Sequence, residues 1–153
     1  SLGVHDVAVA LYLVGEPPIQ VRAWGQRVVQ PSIEDHAYVH MEFAQGVQAH
    51  IHTSWLWPDK QRRLTVVGSE AMLVYDELSQ MVTLHRKRIN RLLEQADNGA
   101  EVIFRGEGEP LRLECEHFLE AVRTRRPPLS DGASGLGVLR VLEEAQRQLA
   151  SQR

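Results

Sequence analysis

His36-Ala37-Tyr38-Val39-His40-Met41-Glu42-Phe43-Ala44-Gln45-Gly46-Val47-Gln48-Ala49-His50-Ile51-His52-Thr53-Ser54-Trp55 reads as two strands folded back on one another. In the first half Ala37, Val39, Met41 and Phe43 alternate with His36, Tyr38, His40 and Glu42. In the second half Val47, Ala49, Ile51, Thr53 and Trp55 alternate with Gln48, His50, His52 and Ser54. A period of two puts each set on its own face of a strand, and Gln45-Gly46 supplies the turn of an antiparallel hairpin. On the N-terminal side, residues 19–24 form a further strand. On the C-terminal side, residues 64–67, 72–75 and 81–84 form three more, separated by Gly68-Ser69 and by the polar stretch 76–80. About six strands thus follow in series with no helix between them. Such short links favour an antiparallel sheet, because parallel neighbours need a long crossover. Residues 86–108 are polar and weakly patterned, and are expected to be a loop with at most a short strand at 102–104.

Helices flank the strands. Residues 2–14 are apolar nearly all round at 100° per residue, with Val4, Val7, Leu11 and Val14 on one stripe, which predicts a helix buried on most sides. Gly15 stands where a helix-terminating glycine belongs, and Pro17-Pro18 forbids continuation. Further on, Leu111, Cys115, Phe118 and Val122 recur at helical spacing after Pro110, and Pro127-Pro128 ends that helix. Ser130 is the expected N-cap of a last helix whose stripe is Val138, Leu142, Ala145 and Leu149. The whole is expected to be one α+β domain over residues 1–153: a mostly antiparallel sheet of about six strands, with helices packed on one face and the other face open.

Composition narrows the function classes. A chain of 153 residues with 43% hydrophobic and 24% charged residues is an ordinary globular domain. Its net charge of -3 offers no extended positive field, so nucleic acid is not an expected partner. The cations Arg86, Lys87, Arg88 and Arg91 are diluted by Glu94 and Asp97, as on a solvated surface. No apolar run approaches the ~20 residues of a membrane span, and no signal-peptide pattern is read, so the expected compartment is the cytoplasm. The single cysteine, Cys115, agrees with a reducing compartment and sits on an apolar stripe, where a small buried hydrophobe is expected.

Three constellations bear on chemistry. His5-Asp6 is the polar pair of an otherwise apolar helix, and an imidazole titrating near neutrality suits a general base. A neutral histidine bonded to a carbonyl explains it too. His50 and His52 share a strand face, as do His36 and His40, an arrangement that also occurs in cupin-type metal sites. No carboxylate follows in Thr53-Ser54-Trp55-Leu56-Trp57, so a metal is not expected, and a polar or interface-facing surface serves as well. Gly132, Gly135 and Gly137 lack the preceding strand that a phosphate-cradling loop requires, so no cofactor-binding residue is expected in this chain. Small residues there favour close helix packing.

Leu2-Gly3-Val4-His5-Asp6-Val7, running to Leu13-Val14-Gly15-Glu16-Pro17, resembles the helix that carries the active-site histidine in the Gfo/Idh/MocA family of oxidoreductases. Gly46, Ala49 to Ser54-Trp55, Pro58, Lys60, Arg63 and Val67-Gly68-Ser69-Glu70-Ala71-Met72-Leu73-Val74-Tyr75-Asp76 are similar to its central strands. Glu109-Pro110-Leu111, Glu114-Cys115-Glu116-His117-Phe118-Leu119, Pro128, Ser130-Asp131-Gly132 and Gly135-Leu136 resemble its closing helices. The wording is most like members that act as UDP-sugar 3-dehydrogenases. The resemblance implies a C-terminal domain that binds a sugar or nucleotide-sugar and pairs subunits through the open sheet face, as a homodimer or homotetramer. It also implies that an N-terminal Rossmann domain, which holds NAD or NADP and a catalytic lysine, is absent from this chain, so that the isolated domain is inactive. His5 matches the family histidine that assists proton removal from the sugar hydroxyl. Many relatives carry an aspartate four residues before it, where this chain has Ser1, so the resemblance supplies no acid-base partner for His5. Lys60, Arg62 and Arg63 are candidates for contact with substrate phosphate or carboxylate, because cationic side chains suit such anions; surface solvation is their plainer explanation. The alternatives are a dimerising or ligand-binding module without catalysis, and a cupin-like metal protein.

Overall fold

The computed structural model describes residues 3–151. The predicted helix start at Leu2, and Ser1 before it, lie outside those residues. The chain is α+β, with seven strands and three helices among the described residues, and it divides into two compact units: residues 1–58 with 121–153, and residues 59–120. The antiparallel class is the expected one. Hydrogen bonding divides the strands into two sheets, of three and four strands.

The first unit contains α1 (Val4–Val14), β1 (Gln20–Gln26), β2 (His36–Glu42), β3 (Gln48–Ser54) and α3 (Gly132–Ser151), with an antiparallel sheet in the order β1-β2-β3. Its register sets Val39 opposite Ile51 and Met41 opposite Ala49, so the apolar half of each alternation lies on one face. The β2–β3 hairpin turns as the Gln45-Gly46 pair suggested. Gly46 N–H donates to the Phe43 carbonyl at 3.0 Å, and Gly46 adopts φ 78°, a left-handed conformation that costs glycine little. Gly25 is required for a different reason: a β-carbon there would stand 2.7 Å from the His36 carbonyl oxygen.

Helices α1 and α3 pack together and onto the apolar face of this sheet. The core is Val7, Met41, Phe43, Ile51, Val138 and Val141, with Val4, Leu11, Val14 and Leu142 packed around it. The stripe read in α1 is thus the buried one, and Gly15 closes the helix in the left-handed region, its N–H donating to the Leu11 carbonyl at 2.9 Å. The helix is not buried on most sides, however. Val9, Tyr12 and Leu13 are exposed, because one stripe suffices to meet α3 and β3. The cap of α3 is Asp131 rather than Ser130: its carboxylate accepts the Ser134 N–H at 2.8 Å. Gly132, Gly135 and Gly137 lie inside α3, and a β-carbon on Gly137 would meet Leu11 Cδ1 at 3.8 Å, so this small residue lies at the α1 contact.

The second unit is an antiparallel sheet in the order β4 (Arg63–Val67), β5 (Met72–Asp76), β6 (Met81–Ile89), β7 (Gln95–Arg105). The expected loop at 86–108 is therefore largely strand. Its polar sequence hid it, because the outer part of this ribbon is exposed and held by cross-strand charge. Lys87 stands opposite Asp97 with 3.5 Å between ammonium and carboxylate, and Arg86 reaches Glu101 at 3.3 Å. Asn90 closes the turn, its side-chain oxygen accepting the N–H groups of Leu92 and Glu94.

Helix α2 (Pro110–Thr124) begins at Glu109, whose carboxylate accepts the Arg112 N–H at 2.8 Å. Its apolar stripe is exposed, and Cys115 with it, so the expected burial of this thiol is not found. Helical spacing gives the stripe but cannot say whether anything in the same chain covers it.

Candidate functional site

The strand alternation that buries Met41 and Ile51 turns His36, Tyr38, His40 and Glu42 of β2, and His50 and His52 of β3, to the opposite face. The register pairs His40 directly with His50 and Tyr38 with His52. His40 Nδ1 lies 3.2 Å from His50 Nδ1, and His40 Nε2 lies 3.1 Å from Glu42 Oε1. Diagonally across the same strands, His52 Nε2 lies 3.2 Å from His36 Nδ1. Tyr38 stacks between His52, at 4.3 Å between ring centroids, and Trp24 of β1, at 5.7 Å. Trp57 meets the edge of His52 at 5.1 Å. Desolvation, followed by the proximity of His36, lowers the His52 pKa, so this imidazole favours its neutral form.

The shared histidine face read from the sequence is therefore present, and it is more aromatic than alternation alone revealed. Among the described residues, no group of three or more His, Cys, Asp or Glu side chains is arranged to hold a metal ion. The histidines meet in twos, ring nitrogen to ring nitrogen.

His5 occupies the first turn of α1 and is exposed, as is Asp6. The start of the helix lies over β3, where Thr53 Cγ2 stands 3.6 Å from the place of a β-carbon on Gly3. An exposed imidazole here needs no buried carbonyl partner. Lys60, Arg62 and Arg63 belong to the second unit and are all exposed. Arg62 is held by Glu77 at 2.6 Å. Arg63 opens β4 opposite Asp76 and contributes to lowering the Asp76 pKa, after hydrogen bonds from the backbone of Ser79 and Leu78. Lys60 has no ion pair among the described residues.

One organising residue was missed. Asp35, 3% exposed, ends the β1–β2 connection and accepts the N–H groups of Val29 at 2.7 Å, Val28 at 2.9 Å and Gln30 at 3.2 Å. These bonds, that from Val29 foremost, hold its pKa below the usual carboxylate range. Arg27 and Glu34 pair across the same connection. An aspartate before a strand was the available signal, but Ser32-Ile33-Glu34-Asp35 offered several candidates of equal weight.

The fold and this face define an α+β domain with one helix-covered sheet face and one open aromatic and histidine face. Comparison with known proteins agrees. Residues 1–74 match the family model described as the GFO/IDH/MocA C-terminal domain. The UDP-N-acetylglucosamine 3-dehydrogenase of Acidithiobacillus ferrooxidans is 26% identical over 139 residues, covering 91% of this chain and 44% of that protein. A solved structure of that enzyme superposes with a TM-score of 0.84 at 24% identity, over 99% of this chain and 46% of that one. Biliverdin reductase from Synechocystis sp. PCC 6803, solved with biliverdin and NADP+, shares the fold at 18% identity with a TM-score of 0.74, over 97% of this chain and 45% of that one. The chain is thus similar to the GFO/IDH/MocA C-terminal domain over residues 1–74, and along 91% of its length to a UDP-N-acetylglucosamine 3-dehydrogenase. It spans less than half the length of the relatives it matches. No described helix is long and apolar enough to cross a membrane.

Proposed function

We propose that this chain is the substrate-binding and oligomerising domain of a cytoplasmic NAD(P)-dependent oxidoreductase that oxidises a hydroxyl group of a nucleotide-linked sugar. The observation that carries the reading is the likeness to a UDP-N-acetylglucosamine 3-dehydrogenase along 91% of the chain. His5 is assigned the proton. Oxidation of a secondary alcohol separates the C–H hydride from the O–H proton and leaves a carbonyl, so a base must meet the hydroxyl as the hydride departs. The exposed His5 imidazole on the first turn of α1 suits that role. The nicotinamide supplies the hydride acceptor when bound. Its site is assigned to the N-terminal domain outside this chain, since Gly132, Gly135 and Gly137 lie within α3 and do not follow a strand. Lys60, Arg62 and Arg63 are assigned to the diphosphate of the nucleotide, with Lys60 the foremost because Glu77 and Asp76 already attend the two arginines.

The open face of the three-stranded sheet is assigned to pairing with a second copy. Trp24 is 47% exposed and stacks on Tyr38, and large aromatic side chains are enriched where subunits meet. Arg22 and Glu42 give the face one charge of each sign, which suits a self-complementary two-fold contact.

The test is the nicotinamide absorbance band of the full-length protein, supplied with NAD+ or NADP+ and a panel of UDP-sugars. Sugar-dependent reduction is expected with at least one UDP-N-acetylhexosamine or UDP-uronate. A folded, cofactor-binding protein that reduces nothing with any sugar overturns the reading and leaves an assembly module without catalysis.

A further inference from the structure

We propose that the open face of the three-stranded sheet is a proton-controlled interface between two copies of this chain, closed while His36, His40, His50 and His52 are neutral and opened when they take up protons. The inference rests on the reading that this face pairs subunits, and it adds what regulates the pairing.

The geometry requires a neutral imidazole in each pair and excludes two protonated ones. In each pair two ring nitrogens face one another at 3.2 Å, His40 with His50 and His36 with His52. One nitrogen must donate and the other accept, which requires at least one neutral ring per pair. When both rings are protonated, two N–H donors and two positive charges confront each other across the strands. The Tyr38 ring that stacks on His52, and the Trp24 ring beyond it, then lose the packed platform they present to a partner.

Charge points the same way. The charged groups facing these rings are Arg22 on β1, opposite His40 in the register, and Glu42 on β2 beside His40. Tyr38 is the other titratable group of the face, and the remaining side chains of β1, β2 and β3 there are uncharged. Arg27 and Glu34, beyond the end of β1, neutralise each other. With neutral histidines, Arg22 and Glu42 cancel and two apposed faces have no net charge to separate them. With four protonated histidines each face carries an excess of four positive charges, and a two-fold contact sets these against their own copies. The lowered pKa of His52 agrees with a ring held neutral near physiological pH.

Sedimentation velocity of the full-length protein at pH 7.5 and 5.5, at equal ionic strength, tests this. Wild type is expected to associate at pH 7.5 and to bind itself more than ~10-fold more weakly at pH 5.5, since each unit of pKa shift on assembly is worth a factor of ten. The variant His36→Gln, His40→Gln, His50→Gln, His52→Gln is expected to associate within about twofold equally at both pH values, its side chains still bonding but no longer titrating. Circular dichroism at both pH values checks folding, and the two-site variants His36→Gln with His52→Gln, and His40→Gln with His50→Gln, stand in if the four-site protein fails it. Wild type equally associated at both pH values, or folded Gln variants that dissociate as wild type does, overturns the proton control. Trp24→Glu separates the underlying reading. It is expected to weaken association at pH 7.5, and an unchanged oligomer in that variant means that subunits do not pair through this face, which overturns both.

Discussion

The two compact units of this chain are built on opposite economies. Among the described residues the buried apolar side chains, Val7, Ala23, Met41, Phe43, Ile51, Val138, Val141 and Ala145, all lie in the unit of residues 1–58 with 121–153, whereas no residue of 59–120 is buried. In the first unit two helices cover one sheet face and the other is left open. The second unit is a four-stranded ladder with most of α2, and Phe104 of β7 and Leu111 and Phe118 of α2 are more than half exposed. Hydrophobic burial is the dominant stabilising contribution, so the first unit carries its own stability. The second has only half-buried apolar side chains, Leu73, Val74, Val82 and Leu84 among them, beside its backbone ladder and cross-strand ion pairs, which are individually weak at a surface.

This contrast breaks most readily at Phe43, which is 2% exposed at the centre of the core. Phe43→Ala is expected to cost about 3–5 kcal/mol in chemical denaturation, from lost burial and the cavity left behind. A loss below about 1 kcal/mol means that the first unit is not where the stability lies.

Asp35 sharpens the comparison through pH, because its three backbone bonds tie the β1–β2 connection to the first unit alone. Its folded-state pKa is depressed, so the stability it contributes is fully present above the unfolded carboxylate pKa of about 3.9 and is lost as pH falls through the lower folded value. The melting temperature is expected to drop between about pH 4 and the onset of acid unfolding, and Asp35→Asn is expected to be less stable at neutral pH and to show a shallower drop. An Asn variant that matches wild type at every pH removes the assigned role.

The smallest effect is expected in the second unit. Phe104 is 57% exposed on β7, so Phe104→Ala is expected to change the stability of the folded chain by less than about 1 kcal/mol. A larger loss shows that this side chain is covered in the assembled protein, and denaturation at two protein concentrations tells which: only cover by a second copy makes the loss depend on concentration.

The same contrast explains what was legible in the sequence. The β2–β3 hairpin and the stripes of α1 and α3 were readable because each faces a core, and burial is what writes a period of two or of 3.6 into a chain. The outer halves of β6 and β7 were not readable: Lys87, Arg88, Asp97 and Glu101 form strand without an apolar face, held by partners found only once the register is known. Cys115 misled for the complementary reason, since a stripe on α2 reports that a face is apolar and not that this chain covers it. At the candidate site, the histidine face followed from alternation, while the pairing of His40 with His50 and of His36 with His52 needed the register. Asp35 was missed because its partners are backbone N–H groups, and Ser32 and Glu34 beside it offered the same signal.

The most direct test of the functional account is the steady-state kinetics of His5→Gln in the full-length protein, with the UDP-sugar that the wild type oxidises best. His5 is exposed and outside the core, so the melting temperature and the affinity for nicotinamide cofactor are expected to match wild type while kcat falls by about 100-fold or more, the range over which a positioned acid-base group acts. A His5→Gln protein that retains kcat within about threefold of wild type contradicts the assignment of the proton to this helix.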